Sequence, residues 1–255
     1  MKLIESAIVA MSMYTKIPMP HIEWNKENMR LTLLFFPLAG AACGAGVILW
    51  GWITSLISFG TFFKAVIFTI IPILISGGIH MDGFMDTMDA VSSWGDKEKR
   101  LEILKDSHSG AFAILFCCIY LLSVVAVWTE ITSFKAVLII GLSMIYSRAL
   151  SGYGIVRFKS AKKTGLASTF NSMADQKKAG YILIVEAVIV AACMILVNVP
   201  AGLAASLVGF IIFRIYKYLS YRTFDGITGD LAGCFLVVAE LFMALAVMIM
   251  CRIFG

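Results

Sequence analysis

The sequence predicts an all-α fold: a polytopic membrane bundle of about seven transmembrane helices, with its N-terminus in the cytoplasm. Composition is the first observation behind this prediction. Of 255 residues, 60% are hydrophobic and 15% are charged, and the mean hydropathy is +0.90. In soluble globular chains, about 45–50% of residues are hydrophobic and about 25% are charged. A soluble core could not bury so much apolar surface, so lipid must cover part of it. Disordered, collagen-like and disulfide-framework proteins are excluded.

Apolar runs are the second observation. Seven segments approach the roughly 20 residues that a helix needs to cross a bilayer. None shows the alternation of a barrel strand, so each is predicted to be a helix. The segments are 33–58, 63–79, 111–129, 134–152, 180–198, 201–220 and 231–251. Segment 1–30 carries a shorter apolar stretch interrupted by Glu5 and lacks a small-residue cleavage site, which predicts an uncleaved helix lying at the interface.

The distribution of charge is the third observation. Of the 21 basic residues, all but Lys64, Lys135 and Arg252 fall on the side of the bundle that carries the N-terminus. The positive-inside rule therefore places the N-terminus in the cytoplasm and the C-terminus outside. All the aspartates fall on the same side. The sequence thus predicts one integral membrane domain, 1–255, with an acidic cytoplasmic loop at 80–110, a basic one at 153–178 and any chemistry at the cytoplasmic face.

Three aspartates follow the second span at helical spacing. At 100° per residue, Asp82, Asp86 and Asp89 lie within about 60° of one another on one helical stripe. Each pair of carboxylates held about 4 Å apart repels by roughly 1 kcal/mol in water and about 4 kcal/mol at an effective dielectric of 20. A hard divalent cation such as Mg²⁺ would relieve that repulsion. The alternative is a solvated stripe screened by nearby lysines, and both interpretations stay open.

Two other span boundaries carry aspartates on the same side. Asp106 precedes the third span, and Asp230 follows Thr228 and Gly229 at the start of the seventh. Each is either a helix cap or a ligand, since small residues and a free helix N-terminus favour anions. Basic residues of the fourth span and the loop after it suit either a phosphate-bearing substrate or anionic lipid. Those assigned to substrate are Arg148, Arg157 and Lys159.

Further polar residues lie near or within the spans. His80, beside Asp82, is either a proton relay or an ordinary hydrogen-bonded histidine. Glu186 and Glu240 lie inside apolar runs, where a charge is normally paired, and Arg148 and Arg214 are available partners. Glycines in the first span favour close helix packing within or between protomers. They are Gly40, Gly44, Gly46 and Gly51.

Several separated strings resemble the signature of the cobalamin-5′-phosphate synthase family, also called adenosylcobinamide-GDP ribazoletransferases. The central match is GIHMDGFMDTMD at 78–89 with RLEILKDSHSGAF at 100–112. Further matches are YTKIPMP at 14–20, FPLAG at 36–40 and GITGDLAG at 226–233, so the resemblance covers nearly the whole chain. Three positions depart from the family pattern. Ala90 and Asp225 stand where glycine is usual, and His108 stands where a larger or basic residue is common.

The resemblance implies a Mg²⁺-dependent transferase of the bacterial or archaeal cytoplasmic membrane. Its substrates would be adenosylcobinamide-GDP and α-ribazole or α-ribazole 5′-phosphate, and its products adenosylcobalamin or its 5′-phosphate and GMP. We expect Asp82, Asp86 and Asp106 to bind the metal and either Asp89 or His80 to accept the proton. The expected substrate-binding residues are Arg148, Arg157, Lys159, Thr228, Gly229 and Asp230.

Two other functions stay open at this point. Intramembrane glutamates would suit a cation-coupled transporter, although the spans show no obvious repeat. Spaced aspartates at helix ends also resemble CDP-alcohol phosphotransferases acting on lipid, although their DxxDGxxAR string is missing. The expected partners are the two substrates and the lipid bilayer, and not nucleic acid. A homo-oligomer, or association with other cobalamin-assembly enzymes, is a further expectation.

Overall fold

The computed structural model describes residues 2–25, 29, 31–106, 108–161 and 176–254, and these are almost entirely helical. A single 3₁₀ turn, Leu33–Phe35, precedes the first long helix. Within the described residues the helices are α1 Lys2–Tyr14, α2 Phe36–Leu56, α3 Thr61–Ser76, α4 Ile79–Ser92, α5 Lys97–Ile103, α6 Ala111–Glu130, α7 Phe134–Arg157, α8 Gln176–Val197, α9 Val199–Phe224 and α10 Gly229–Phe254.

The predicted helical membrane bundle is confirmed. Six helices are long and apolar enough to cross a membrane, and α3 with α4 form a bent pair that would make a seventh span. The predicted second span, 63–79, is broken: α3 ends at Ser76, and α4 departs at 96°. Gly77 and Gly78 have φ of 65° and 77°, a left-handed conformation that glycine adopts without a steric penalty. The predicted acidic loop is therefore largely helical, in α4 and α5.

Helix α7 lies at the centre of the bundle, in contact with α2, α8, α9 and α10. Its contact with α2 depends on small residues. A Cβ added at Gly40 or Gly44 would collide with the backbone of Met144 or Gly141. These glycines therefore pack helices within the protomer, one of the two options that the sequence left open. Helix α1 also packs against α2 and buries Ser6, Val9 and Ala10, so it belongs to the bundle rather than only to its surface.

Antiparallel packing gives the bundle two ends of different character. We call the end formed by the starts of α2, α6, α8 and α10 the loop-rich end, because the described connections 15–25, 93–96, 104–106, 108–110, 158–161 and 225–228 lie there. The opposite, short-loop end has only the connections 57–60, 131–133 and 198. At the loop-rich end, Lys16 donates its backbone N–H to the carbonyl of Ile75 over 2.8 Å. Ser160 and Ile227 form a parallel β-bridge at the same end.

Candidate active site

A cavity of about 140 Å³ lies at the loop-rich end, between the starts of α2 and α10, the helix α4 and the last turns of α7. It combines two carboxylates, an imidazole and a serine hydroxyl with an apolar wall. The lining residues are Tyr14, Phe36, Ile79, His80, Asp82, Ser151, Ile155, Gly229, Asp230, Ala232, Gly233 and Leu236. A larger cavity of about 310 Å³ between α7, α8 and α9 has no carboxylate among its described lining residues. The polar groups therefore single out the smaller cavity as the candidate site.

Two glycines set the distance between α4 and α10. A Cβ at Gly83 would come within 2.8 Å of the Asp230 carbonyl oxygen. A Cβ at Gly233 would come within 3.3 Å of the His80 backbone. Close backbone approach of this kind needs small residues. This glycine seam brings Asp82 of α4 and Asp230 of α10 to the walls of one cavity, as the predicted convergence of span boundaries requires.

The start of α10 is positioned by its own side chains and by the segment after α7. The Leu231 backbone N–H donates to Thr228 Oγ1 over 3.2 Å, so buried Thr228 caps the helix. Space is open where a Cβ at Gly229 would lie, which leaves the backbone there accessible to a ligand. Upstream, the Ile227 N–H donates to the Lys159 carbonyl over 2.9 Å. The positively charged N-terminal end of α10 consequently borders the cavity.

Of the two predicted proton acceptors, His80 lines the cavity and Asp89 does not. Asp89 accepts hydrogen bonds from the Gly110 and Ala113 backbone N–H groups, the second over 2.9 Å. Its carboxylate thus caps the start of α6 from the neighbouring helix α4. Cross-helix capping accounts for this aspartate without a role in proton transfer.

The predicted metal set Asp82, Asp86 and Asp106 is not assembled. Within the described part of the chain, no three His, Cys, Asp or Glu side chains lie close enough together to hold a metal ion. Asp106 is exposed, accepts the His108 backbone N–H over 3.0 Å and lies 2.7 Å from His108 Nδ1. These hydrogen bonds hold the pKa of the Asp106 carboxyl below its usual range. Asp86 is half-buried one turn beyond Asp82, outside the cavity lining.

The predicted substrate contact of Arg148 is replaced by a structural one. Arg148 is 2% exposed and forms an ion pair with Glu240 of α10, and it also donates to the Met144 carbonyl over 2.8 Å. Ser147 donates to the same Glu240 carboxylate over 2.8 Å. The sequence-based expectation that Glu240 pairs with an arginine inside the bundle is confirmed. Glu186 differs, since its buried Oε2 has no hydrogen-bond partner among the described residues.

Arg157 and Lys159, which were predicted to bind substrate, are not among the described residues that line the cavity. Lys159 Nζ is 2.7 Å from Asp225 Oδ2, and this pairing lowers the pKa of the Asp225 carboxyl. The stem of Arg157, itself exposed, packs over Gly180 at the start of α8. Asp225 has φ of 62°, a left-handed conformation in which glycine is less strained. Residues 162–175 of the predicted basic loop lie outside the described residues.

The sequence assigned no role to several lining residues, among them Tyr14, Phe36 and Ser151. Tyr14 and Phe36 fall inside strings that carry the family resemblance, which is the signal that could have identified them. Their rings lie 4.3 Å apart and form an apolar wall, and the Phe36 ring lies 5.9 Å from that of His80. Ser151 follows Ser143 and Ser147 at four-residue intervals, a spacing that places the three serines near one face of α7 and is the signal that could have identified it.

Comparison with known proteins bears on this arrangement. The family model for cobalamin-5-phosphate synthase matches residues 6–248. The chain belongs to the cobalamin-5-phosphate synthase family. An adenosylcobinamide-GDP ribazoletransferase of Lachnoclostridium phytofermentans is 46% identical over 249 residues, which cover 98% of this chain and 95% of that protein.

More distant relatives carry the same name. A Clostridium botulinum protein is 31% identical over 242 residues, covering 94% of this chain and 95% of its own. One from Clostridioides difficile is 32% identical over 245 residues, covering 92% and 93%. No solved structure matches the chain. The residues matched by the family model therefore include all the described residues that line the cavity.

Proposed function

We propose that this protein is an adenosylcobinamide-GDP ribazoletransferase that works at the loop-rich end of its bundle. A hydroxyl oxygen of α-ribazole, or of its 5′-phosphate, attacks the phosphorus on the cobinamide side of the diphosphate. The new P–O bond forms as the phosphoanhydride bond breaks, GMP leaves with the electron pair and the hydroxyl loses its proton. The observation that carries the proposal is the pair Asp82 and Asp230 in one cavity of a chain that belongs to this family.

The donor set fits Mg²⁺, which usually binds one or two carboxylates and completes its coordination with substrate phosphates and water. Asp82 is exposed at the cavity, and among the described residues no cation pairs with it. We assign Asp82 and Asp230 as the carboxylates that would hold the ion, in place of the predicted set with Asp106. When bound, Mg²⁺ would neutralise charge on the diphosphate oxygens. Asp86, one turn from Asp82, stays a predicted metal ligand.

The chain's own groups would orient the substrates. The backbone N–H groups at the start of α10 favour a phosphate, since a helix N-terminus carries partial positive charge. Thr228 caps that terminus, and Gly229 leaves the backbone beside it open to a ligand. The tilted rings of Tyr14 and Phe36 exclude water from one wall. His80 lies where it can contact the attacking hydroxyl, whereas Asp89 is occupied at α6.

We further propose that this cavity faces the cytoplasm. Positive charge at the cytoplasmic ends of the spans favours that orientation. At the loop-rich end, basic residues lie on the described connections (Lys16, Lys105 and Lys159) and on the short helix α5 (Lys97, Lys99 and Arg100), whereas Lys64, Lys135 and Arg252 lie near the short-loop end.

The direct test uses purified protein in liposomes with adenosylcobinamide-GDP, α-ribazole and Mg²⁺, and measures GMP release and cobalamin formation. We expect turnover that EDTA abolishes and excess Mg²⁺ restores. Asp82→Asn should lower kcat at least about 100-fold with helicity and melting temperature retained, because it keeps shape and removes charge. Glu130→Gln, an exposed carboxylate at the short-loop end, is the matched control and should keep wild-type turnover.

Three outcomes would contradict the proposal. Wild-type protein that releases no GMP but supports metal-dependent ion flux would be a transporter. Turnover of a CDP-alcohol with lipid would indicate a lipid phosphotransferase. Full activity of Asp82→Asn would remove Asp82 from the site.

A further inference from the structure

Ser151 differs from the other buried serines of α7. A helical serine usually donates to the carbonyl three or four residues earlier. Ser143 does so to Ile140 over 2.8 Å, and Ser147 Oγ lies 3.0 Å from the Met144 carbonyl and 2.8 Å from the Glu240 carboxylate to which it donates. Ser151 is 0% exposed, and its Oγ has no hydrogen-bond partner among the described residues. Buried hydroxyls are rarely left unpartnered, because the lost hydration is then uncompensated.

His80 presents a second such group to the same cavity. It is 9% exposed, and its buried Nε2 also has no hydrogen-bond partner among the described residues. His80 lies on α4 and Ser151 on α7, so the two line the cavity from different helices. Two independent elements thus each bring a residue with an unpartnered polar atom to the wall of one cavity. A bound group that both donates and accepts hydrogen bonds would satisfy both.

The remaining lining restricts what that group can be. The described lining of the cavity includes two carboxylates, Asp82 and Asp230, and neither lysine nor arginine. An anionic group deep in the cavity would face carboxylates without a protein cation, so a neutral group fits better. The Phe36 ring near His80 supplies an apolar surface for the face of a small ring. A sugar hydroxyl has all the required properties: it is neutral, it donates and accepts, and it sits on a ring with an apolar face.

We propose that Ser151 and His80 form a hydrogen-bonding pair that binds a sugar hydroxyl of a nucleoside substrate. The proposal rests on the proposed transferase function, in which both substrates carry a ribose. Ser151 is then a binding residue whose hydroxyl is satisfied only when substrate is present. Its removal should weaken substrate binding and leave the free protein as stable as before, or more stable.

The test compares Ser151→Ala with Ser143→Ala, a matched control on the same helix with the same 0% exposure and a satisfied hydroxyl. Ser151→Ala should raise the KM for one nucleoside substrate about tenfold, the worth of one hydrogen bond. Its melting temperature without substrate should stay equal to wild type or rise. Ser143→Ala should lose melting temperature and keep both KM values. If Ser151 had a purely structural role, Ser151→Ala would instead lower the melting temperature and leave both KM values unchanged.

The substrate whose KM changes is the one that contributes the sugar hydroxyl. A rise for α-ribazole assigns the site to the acceptor, and a rise for adenosylcobinamide-GDP assigns it to a sugar of the donor, in its guanosine or its adenosyl group. Ser151→Cys, which keeps volume with a weaker donor, should change the same KM by less and provides the measurement if the alanine variant is poorly folded. Unchanged KM values for both substrates, with wild type and Ser143→Ala turning over, would overturn this inference alone. Absence of turnover in wild type would overturn the proposed function as well.

Discussion

The two ends of this bundle are built differently. At the short-loop end, helices are joined by at most four residues, and Trp50, Phe59 and Phe63 form an aromatic cluster with ring centroids 5.3–6.2 Å apart. At the loop-rich end, seven residues join α5 to α6, and four-residue connections join α4 to α5 and α9 to α10. Every described residue with φ in the left-handed region lies there, namely Gly77, Gly78, Asp225 and Gly226. The same end carries the cavity with Asp82 and Asp230.

This contrast distinguishes the structural features that helix packing requires from those that the candidate site requires. Short connections are sufficient where helices only have to be held side by side. Left-handed turns and close backbone contacts appear where a carboxylate-bearing helix must turn across the bundle end. Between the two ends lies the buried Arg148–Glu240 pair, which belongs to the bundle and not to the cavity. Three predictions test this division, from the largest expected effect to the smallest.

Removing one partner of the buried pair should have the largest effect on stability. Glu240→Ala would leave the guanidinium of Arg148 buried and unpaired, and we expect the free energy of unfolding to fall by about 3–5 kcal/mol. Denaturant unfolding in detergent measures this. The exposed pair Arg252–Glu130 at the short-loop end is the control, and Glu130→Ala should lower stability by about 0–1 kcal/mol.

A double variant sharpens this result. Arg148→Met with Glu240→Leu removes both charges and should recover most of the loss, because apolar groups need no partner. If it also keeps GMP release, Arg148 has no part in substrate binding. Equal losses for Glu240→Ala and Glu130→Ala would show that the pair does not stabilise the bundle.

A methyl group on the glycine seam should act on activity more than on stability. In Gly83→Ala the new Cβ meets the Asp230 backbone, which cannot yield as a side chain would. We expect a loss of about 1–3 kcal/mol and, because α4 moves away from α10, at least about a tenfold fall in kcat/KM.

Gly46→Ala is the control for that substitution. Its Cβ would meet only the side-chain ends of Ile71 and Ile75, which can shift. Activity should stay within about twofold of wild type, since alanine also favours the helix. Similar activity losses in both variants would mean that the seam does not position the carboxylates.

Asp89→Asn should have the smallest effect and decides between capping and proton transfer. An asparagine oxygen can still accept one of the two N–H groups at the start of α6, so we expect a loss of about 1 kcal/mol and turnover within a few-fold of wild type. Asp96→Asn, at the cap of the exposed helix α5, is the control for a cap far from the cavity. A fall in kcat as large as that of Asp82→Asn would restore the predicted role of Asp89 as proton acceptor.

Much of the fold could be predicted because span length and charge asymmetry are direct consequences of the bilayer. The break after Ser76 was missed, since a Gly-Gly pair next to an apolar run is also compatible with a straight helix end. The convergence of Asp82 and Asp230 was predicted from their places at span boundaries. Which carboxylate caps a helix depends on N–H groups contributed by another helix, so the sequence could not separate Asp89 from Asp82.

Side chains inside the spans were harder to assign. The pairing of Glu240 with Arg148 was foreseen because a lone charge in lipid is unfavourable. Its consequence, that Arg148 is unavailable to substrate, depends on helix rotation, which the apolar pattern of α7 does not specify. Ser151 was missed for the same reason.

The pairing of Arg148 with Glu240 also constrains how the chain is built. Arg148 lies on α7 and Glu240 on α10, which is synthesised after α7. An arginine at the centre of an inserted helix is unfavourable by about 2.5–3.5 kcal/mol on the scale of translocon insertion. Until α10 is synthesised, Arg148 of α7 lacks the counter-ion that Glu240 provides. Insertion of α10 therefore supplies two groups together: Glu240, which neutralises Arg148, and Asp230, which lines the cavity.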